Sequence, residues 1–113
     1  MTKINFLYTT APDSSTAGKI ARALTERGLV ACVNAIPGVV STYRWAGKLE
    51  ESAEVVLIVK TTAAAAPAAR DLILELHPYE TPCVIALPVS ENASSRAFLD
   101  WIEAESRGKP IDR

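Results

Sequence analysis

A chain of 113 residues, 49% hydrophobic and 22% charged, has the size and balance of one soluble globular domain. A formal charge of −1 with scattered Lys and Arg excludes the basic footprint of a nucleic-acid binder, and no apolar run nears the roughly eighteen residues of a membrane span. The two cysteines make no framework and the first apolar run is too short for a signal peptide, so a cytoplasmic protein is expected.

In chain order, Ile4, Phe6 and Tyr8 alternate with Asn5 and Leu7 as in a strand, which Ala11-Pro12-Asp13 ends. Asp13 is placed to cap a helix over Ser14 to Arg27, with Ala17, Ile20, Ala23 and Leu24 on one face and Gly28 as its left-handed stop. Leu29 to Thr62 then reads as one very long hairpin turning at Ala46-Gly47. Arms of about sixteen residues at ~3.3 Å each reach roughly 50 Å, against five or six residues for an ordinary strand. Pro37-Gly38 calls for a bulge or bend in the first arm, because proline cannot donate to the ladder. At the tip, alanine disfavours the positive φ of a type I′ turn, so a type I turn with Gly47 in a bulge is expected.

A second helix is predicted from Pro67 to Leu76 with Ala69, Leu72, Ile73 and Leu76 as its apolar stripe, ended by His77-Pro78. Cys83 to Val89 reads as a strand. Ser94 is placed to cap a last helix over Ser95 to Ala104, with Phe98, Leu99 and Ile102 facing inward and Trp101 beside them. Residues 1–113 form one domain, with 105–113, and Lys109 to Arg113 above all, as a loose tail.

This order is the βαββαβ pattern of a ferredoxin-like α+β fold: an antiparallel sheet with helices on one face, plus a C-terminal helix. Val55 to Val59 and Cys83 to Leu87 are apolar at every position, which calls for burial on both faces. A second copy of the chain is the leading candidate for the missing cover, and the C-terminal helix is the other.

Several short segments occur in an order that closely resembles the CutA family of divalent-cation tolerance proteins. They are Ala31-Cys32-Val33-Asn34, Ile36-Pro37-Gly38, Tyr43-Arg44-Trp45-Ala46-Gly47-Lys48, Lys60-Thr61-Thr62, His77-Pro78-Tyr79-Glu80-Thr81-Pro82 and Ala86-Leu87-Pro88. The resemblance spans about Thr10 to Trp101. It implies a ferredoxin-like fold assembled as a homotrimer, and a role in metal-ion tolerance with copper binding. Copper-binding relatives carry a cysteine at the end of the first strand and two adjacent histidines before the Pro-Tyr. Here Thr9 and Leu76 stand at two of those places, and only His77 matches.

His77, the sole histidine, with Glu80 and Cys83 nearby, offers a mixed donor set suited to copper or zinc, although Pro78 and Pro82 deny the three a common helical face. The competing reading of His77 is a helix-end residue bonded locally. Cys83 is expected to begin a buried strand and be inert, unless it faces a cleft beside Lys60; Cys32 is expected in the core. A second constellation is a ligand cleft of Tyr43, Trp45, Lys60, Tyr79 and Glu80. In it Lys60 would contact an anion and pair with Glu80, and the aromatics would form walls. Asp13-Ser14-Ser15 reads as capping, and Glu50, Glu51 and Glu54 as a solvated edge. No nucleophile stands beside a base and no glycine-rich phosphate loop occurs, so the chain reads as a non-enzyme. Three roles remain open: a cation-tolerance protein with weak divalent-metal affinity and no obligatory cofactor, a trimeric small-ligand sensor like the nitrogen-regulatory proteins, and a scaffold for partner proteins.

Overall fold

The computed structural model describes residues 2–111. Seven elements follow in order: β1 (Ile4–Ala11), α1 (Ser14–Glu26), β2 (Cys32–Trp45), β3 (Lys48–Thr62), α2 (Ala66–Leu76), β4 (Val84–Pro88) and α3 (Arg96–Glu105). The four strands make one antiparallel sheet in the order β2-β3-β1-β4, a ferredoxin-like α+β arrangement. β1 runs three residues past the alternation at Ile4, Phe6 and Tyr8, because Thr9, Thr10 and Ala11 pair with Leu57, Val56 and Val55. Partners distant in sequence set its end.

α1 starts where Asp13 Oδ1 accepts the Thr16 N–H at 2.7 Å, a contact that holds the Asp13 carboxyl below its ordinary pKa. It ends in a Schellman motif, with Gly28 N–H on Thr25 O, Leu29 N–H on Leu24 O and Gly28 at φ +68. Pro67 lies in the first turn of α2, where a missing N–H costs nothing. α1 and α2 lay Ala17, Ile20, Leu24, Ala69, Leu72 and Ile73 on Leu7, Val55, Leu57 and Val59, which share the odd-numbered face of the sheet. Leu57 is fully buried there, and a side chain of that size contributes about 2 kcal/mol by leaving water. Leu76, expected in the α2 stripe, is exposed at the last turn.

α3 is capped by Ser95, one residue later than expected, through the Phe98 N–H. Leu99 and Ile102 turn in against Ile4 and Phe6, whereas Phe98 stays partly exposed, against Trp101. This helix lies over one end of the even-numbered face of the sheet; Thr10, Val56 and Glu54 are buried toward the other end, and the stretch between is open. Ile85, 53% exposed on β4, shares that open face with Leu87 and Ile36. Cys32 is half-buried opposite Lys60 on this face instead of in the core. The final segment is tied, not loose: Gly108 N–H donates to Gly28 O and Ile111 N–H to Glu26 O, both at 2.8 Å. Asp112 and Arg113, the last of the expected tail, lie outside the described residues.

The hairpin corrects the expectation at its tip. Trp45 pairs with Lys48, and the two residues between have φ +51 at Ala46 and +78 at Gly47. That is a type I′ turn, chosen because its twist matches the strands and tolerated despite the side chain of Ala46. A left-handed non-glycine residue costs about 1–2 kcal/mol. Ala46→Asn or Ala46→Gly is therefore expected to stabilise the chain by about 0.5–1 kcal/mol. Calorimetry checks this, and a lowered midpoint in both variants would contradict the turn's geometry.

Candidate functional site

The bulge at Pro37-Gly38 is the device that builds the site. Before it Ile36 pairs with Val56, and after it Val39 pairs with Glu54, so β2 carries one extra residue. Side chains alternate faces with a period of two, and a one-residue insertion reverses which set faces which side. Even-numbered β2 residues accompany even-numbered β3 residues before the bulge; odd-numbered ones do so after it. Tyr43 and Trp45 thereby come to the face that holds Ser52 and Glu54, and Ser52 Oγ lies 3.5 Å from Tyr43 Oη.

The other wall is the segment between α2 and β4. His77, 8% exposed, anchors it. The Tyr79 N–H donates to His77 Nδ1 at 3.2 Å, so Nε2 carries the proton and donates to Thr10 O at 2.7 Å. The two rings pack with centroids 4.7 Å apart. Tyr79 then reaches across, and its hydroxyl donates to Glu54 Oε2 at 3.0 Å. Glu54 is only 9% exposed. Between the two walls lies a cleft of about 500 Å³, lined by Tyr43, Trp45, Glu54, Tyr79, Glu80 and Cys83, with Thr10, Ser52 and Thr81 between them. That volume suits a small molecule.

Desolvation first, and then the bond and charge of Glu54, push the Tyr79 hydroxyl up to about 12 from 10.0. The folded state therefore prefers the neutral phenol. The stability this contributes is complete below pH 10 and is lost as pH rises toward 12. Alkaline absorbance titration is expected to show one of the three tyrosines ionising near 12, and Tyr79→Phe is expected to remove that step. A variant retaining it would reassign the group.

The structure brings together four of the five expected cleft residues, Tyr43, Trp45, Tyr79 and Glu80, and places Lys60 elsewhere. Lys60 Nζ lies 5.3 Å from the Phe98 ring centre and 5.8 Å from that of Phe6, beneath α3, with no described bond to Glu80. Its cationic head is held by aromatic faces, not by a carboxylate. Glu54, read from sequence as part of a solvated edge, takes the central place. One signal could have found it: Glu54 stands next to the apolar run Val55 to Val59, on the strand face of the buried Val56.

The donor set His77, Glu80 and Cys83 does not fit a metal ion. Both His77 nitrogens are committed, and among the described residues no three His, Cys, Asp or Glu groups converge. Thr9 is fully buried on the helix-bearing face, its hydroxyl without a partner among the described residues, and Leu76 is at the surface, so neither adds a strong ligand. Cys83 precedes β4 and is exposed at the cleft, not buried in a strand. Partial desolvation, then Glu54, push its thiol up, which favours the protonated form.

A ferredoxin-like sheet with an overlong hairpin and a cleft at its bulge defines the class, and comparison with known proteins supplies the family. The CutA1 divalent ion tolerance protein family matches residues 5–105, and the chain belongs to it. The divalent-cation tolerance protein CutA of Thermus thermophilus is 45% identical over 82% of this chain and 88% of its own length. The solved structure of the Thermus protein superposes with a TM-score of 0.87 at 41% identity, covering 91% of this chain and 98% of that one. A protein of Archaeoglobus fulgidus, described as a periplasmic divalent cation tolerance protein, gives 0.87 at 39% identity, covering 92% and 99%. A protein of Nostoc, described as a PII-like protein CutA, gives 0.83 at 38%, covering 94% and 98%. The chain spans about half the length of the human and mouse relatives it matches. No described helix is long and apolar enough to cross a membrane.

Proposed function

We propose that this protein is a cytoplasmic homotrimer that binds a small ligand, without catalysing a reaction, in the cleft between the hairpin and the segment from His77 to Cys83. The observation that carries this reading is the cleft itself: about 500 Å³ walled by Tyr43, Trp45 and Tyr79 over a buried Glu54. A buried carboxyl group met by one described hydrogen-bond donor is a poor arrangement for folding alone, and a few convergent polar groups in an apolar cleft suit a ligand. The open apolar face around Ile85 and Ile36 supports the oligomer, because exposed patches of this kind mark contact surfaces. The PII-like description of the Nostoc protein favours a sensor role over a passive scaffold. The relatives' names supply the physiological setting, a response to divalent cations.

Metal itself has a minor part in this reading. Copper is expected to bind weakly, and calorimetric titrations of the wild type and His77→Ala are expected to coincide. Tight binding that vanishes in His77→Ala would restore a metal centre. The ligand reading is tested by native mass spectrometry of protein isolated gently from its own cells. A trimer mass with a retained small molecule, absent from Tyr79→Ala, is expected. A trimer that carries nothing, and retains nothing from a cell metabolite extract, would favour the scaffold.

A further inference from the structure

The sign of charge in the cleft selects a ligand class. The expected anion contact, Lys60, lies under α3, and among the described residues of the chain no lysine or arginine lines the cleft. By register Lys48 shares the face of its pairing partner Trp45, but it stands at the hairpin tip outside the lining; Arg44 is on the opposite face with Leu49. Two carboxylates, Glu54 and Glu80, do line it. Glu54 is nine-tenths buried, receives one hydrogen bond through Oε2 and takes part in none of the ion pairs among the described residues. Glu80 has no described partner. Around these carboxylates stand Tyr43, Trp45 and Tyr79, whose ring faces carry partial negative charge.

We propose that the cleft binds a small organic cation, an alkylammonium or quaternary ammonium group, caged by Tyr43, Trp45 and Tyr79 and neutralised by Glu54 and Glu80. The inference rests on the ligand-cleft reading and adds the chemistry of the occupant. Aromatic walls over a buried carboxylate favour a diffuse organic cation, which sheds water easily, over a strongly hydrated divalent ion, which needs several oxygen ligands. An ammonium adds charge-assisted hydrogen bonds to Glu54. Organic anions are repelled by the same carboxylates.

The test uses the intact protein in a Trp101→Phe background, so that Trp45 is the remaining tryptophan and its fluorescence reports on the cleft. At constant ionic strength, the probes are tetramethylammonium, n-butylammonium, n-butyrate and the neutral tert-butanol. Saturable quenching or enhancement by the two cations alone is expected. Glu54→Gln is expected to weaken both by at least about tenfold while changing tert-butanol less than twofold. Glu80→Gln, at a more exposed position, provides a second variant should Glu54→Gln unfold, and is expected to weaken the cations about threefold or more. Equal binding of cations and tert-butanol, binding of butyrate, or silence from every probe would each overturn the cation assignment. A retained neutral or anionic molecule in the mass spectrum would do the same and leave the ligand cleft standing, whereas the absence of any retained ligand bears on the cleft.

Discussion

Ile85→Lys is expected to convert the proposed trimer to monomers at micromolar concentration while the fold of each chain survives. Pairing across the sheet puts Asn34, Ile58, Tyr8 and Ile85 in one row on the even-numbered face, with Leu87 and Ile36 in the rows beside it. α3 screens Ile4 and, in the next row, Phe6 and Lys60, while Leu87 at the β4 end of that row stays exposed. In a lone chain the Ile85 side chain already meets water, so lysine there adds little strain. In an assembly that buries the face, each copy would hide an unpaired ammonium, at a cost of several kcal/mol per site even after relaxation. With three equivalent sites, that exceeds what most interfaces can absorb. Sedimentation at several dilutions, with far-ultraviolet circular dichroism of the same samples, decides the matter. A variant that sediments like the wild type would show that the open face lies outside the contact, and the missing cover would have to be sought elsewhere.

The basis for that prediction was legible in the residues. Continuous apolar runs at Val55 to Val59 and Cys83 to Leu87 stated that both faces needed cover, and the structure accounts for only part of it. Local signals also held: Asp13 as cap, Gly28 as stop, Pro37-Gly38 as the bulge. These succeed because capping and ladder chemistry act over a few residues. The site was harder to read. Lys60 does share a strand face with Glu54, but six residues at ~3.3 Å put them roughly 20 Å apart. Periodicity reports the face and says nothing about distance along it. Glu54 takes its one described hydrogen bond from Tyr79, 25 residues on, in a segment anchored by His77 on Thr10. Such closure depends on tertiary contacts that no local window contains. Ala46 misled for another reason: its own preference was weighed, whereas the twist of two long strands set the turn.

Gly28→Ala carries the second large effect, through a contact that chain position gives no hint of. At φ +68 any side chain costs about 1–2 kcal/mol. Gly108, at φ +76 with open space around it, would incur that cost alone. Gly28 faces more than strain. A Cβ built there would lie 2.3 Å from the Lys109 carbonyl oxygen and 2.6 Å from its nitrogen. Backbone cannot swing aside as a flexible side chain can, so the segment after α3 must lift. With it would go the Gly108–Gly28 and Ile111–Glu26 hydrogen bonds. The expected loss is about 3 kcal/mol or more for Gly28→Ala, against about 1–2 kcal/mol for Gly108→Ala. Denaturant midpoints at equal protomer concentration make the comparison fair, because assembly shifts apparent stability. Equal losses in the two variants would mean that residues 106–111 yield freely. A larger loss at Gly28 shows that the segment serves as a strap across the end of α1, and ties the stability of the helix-bearing face to that of α3.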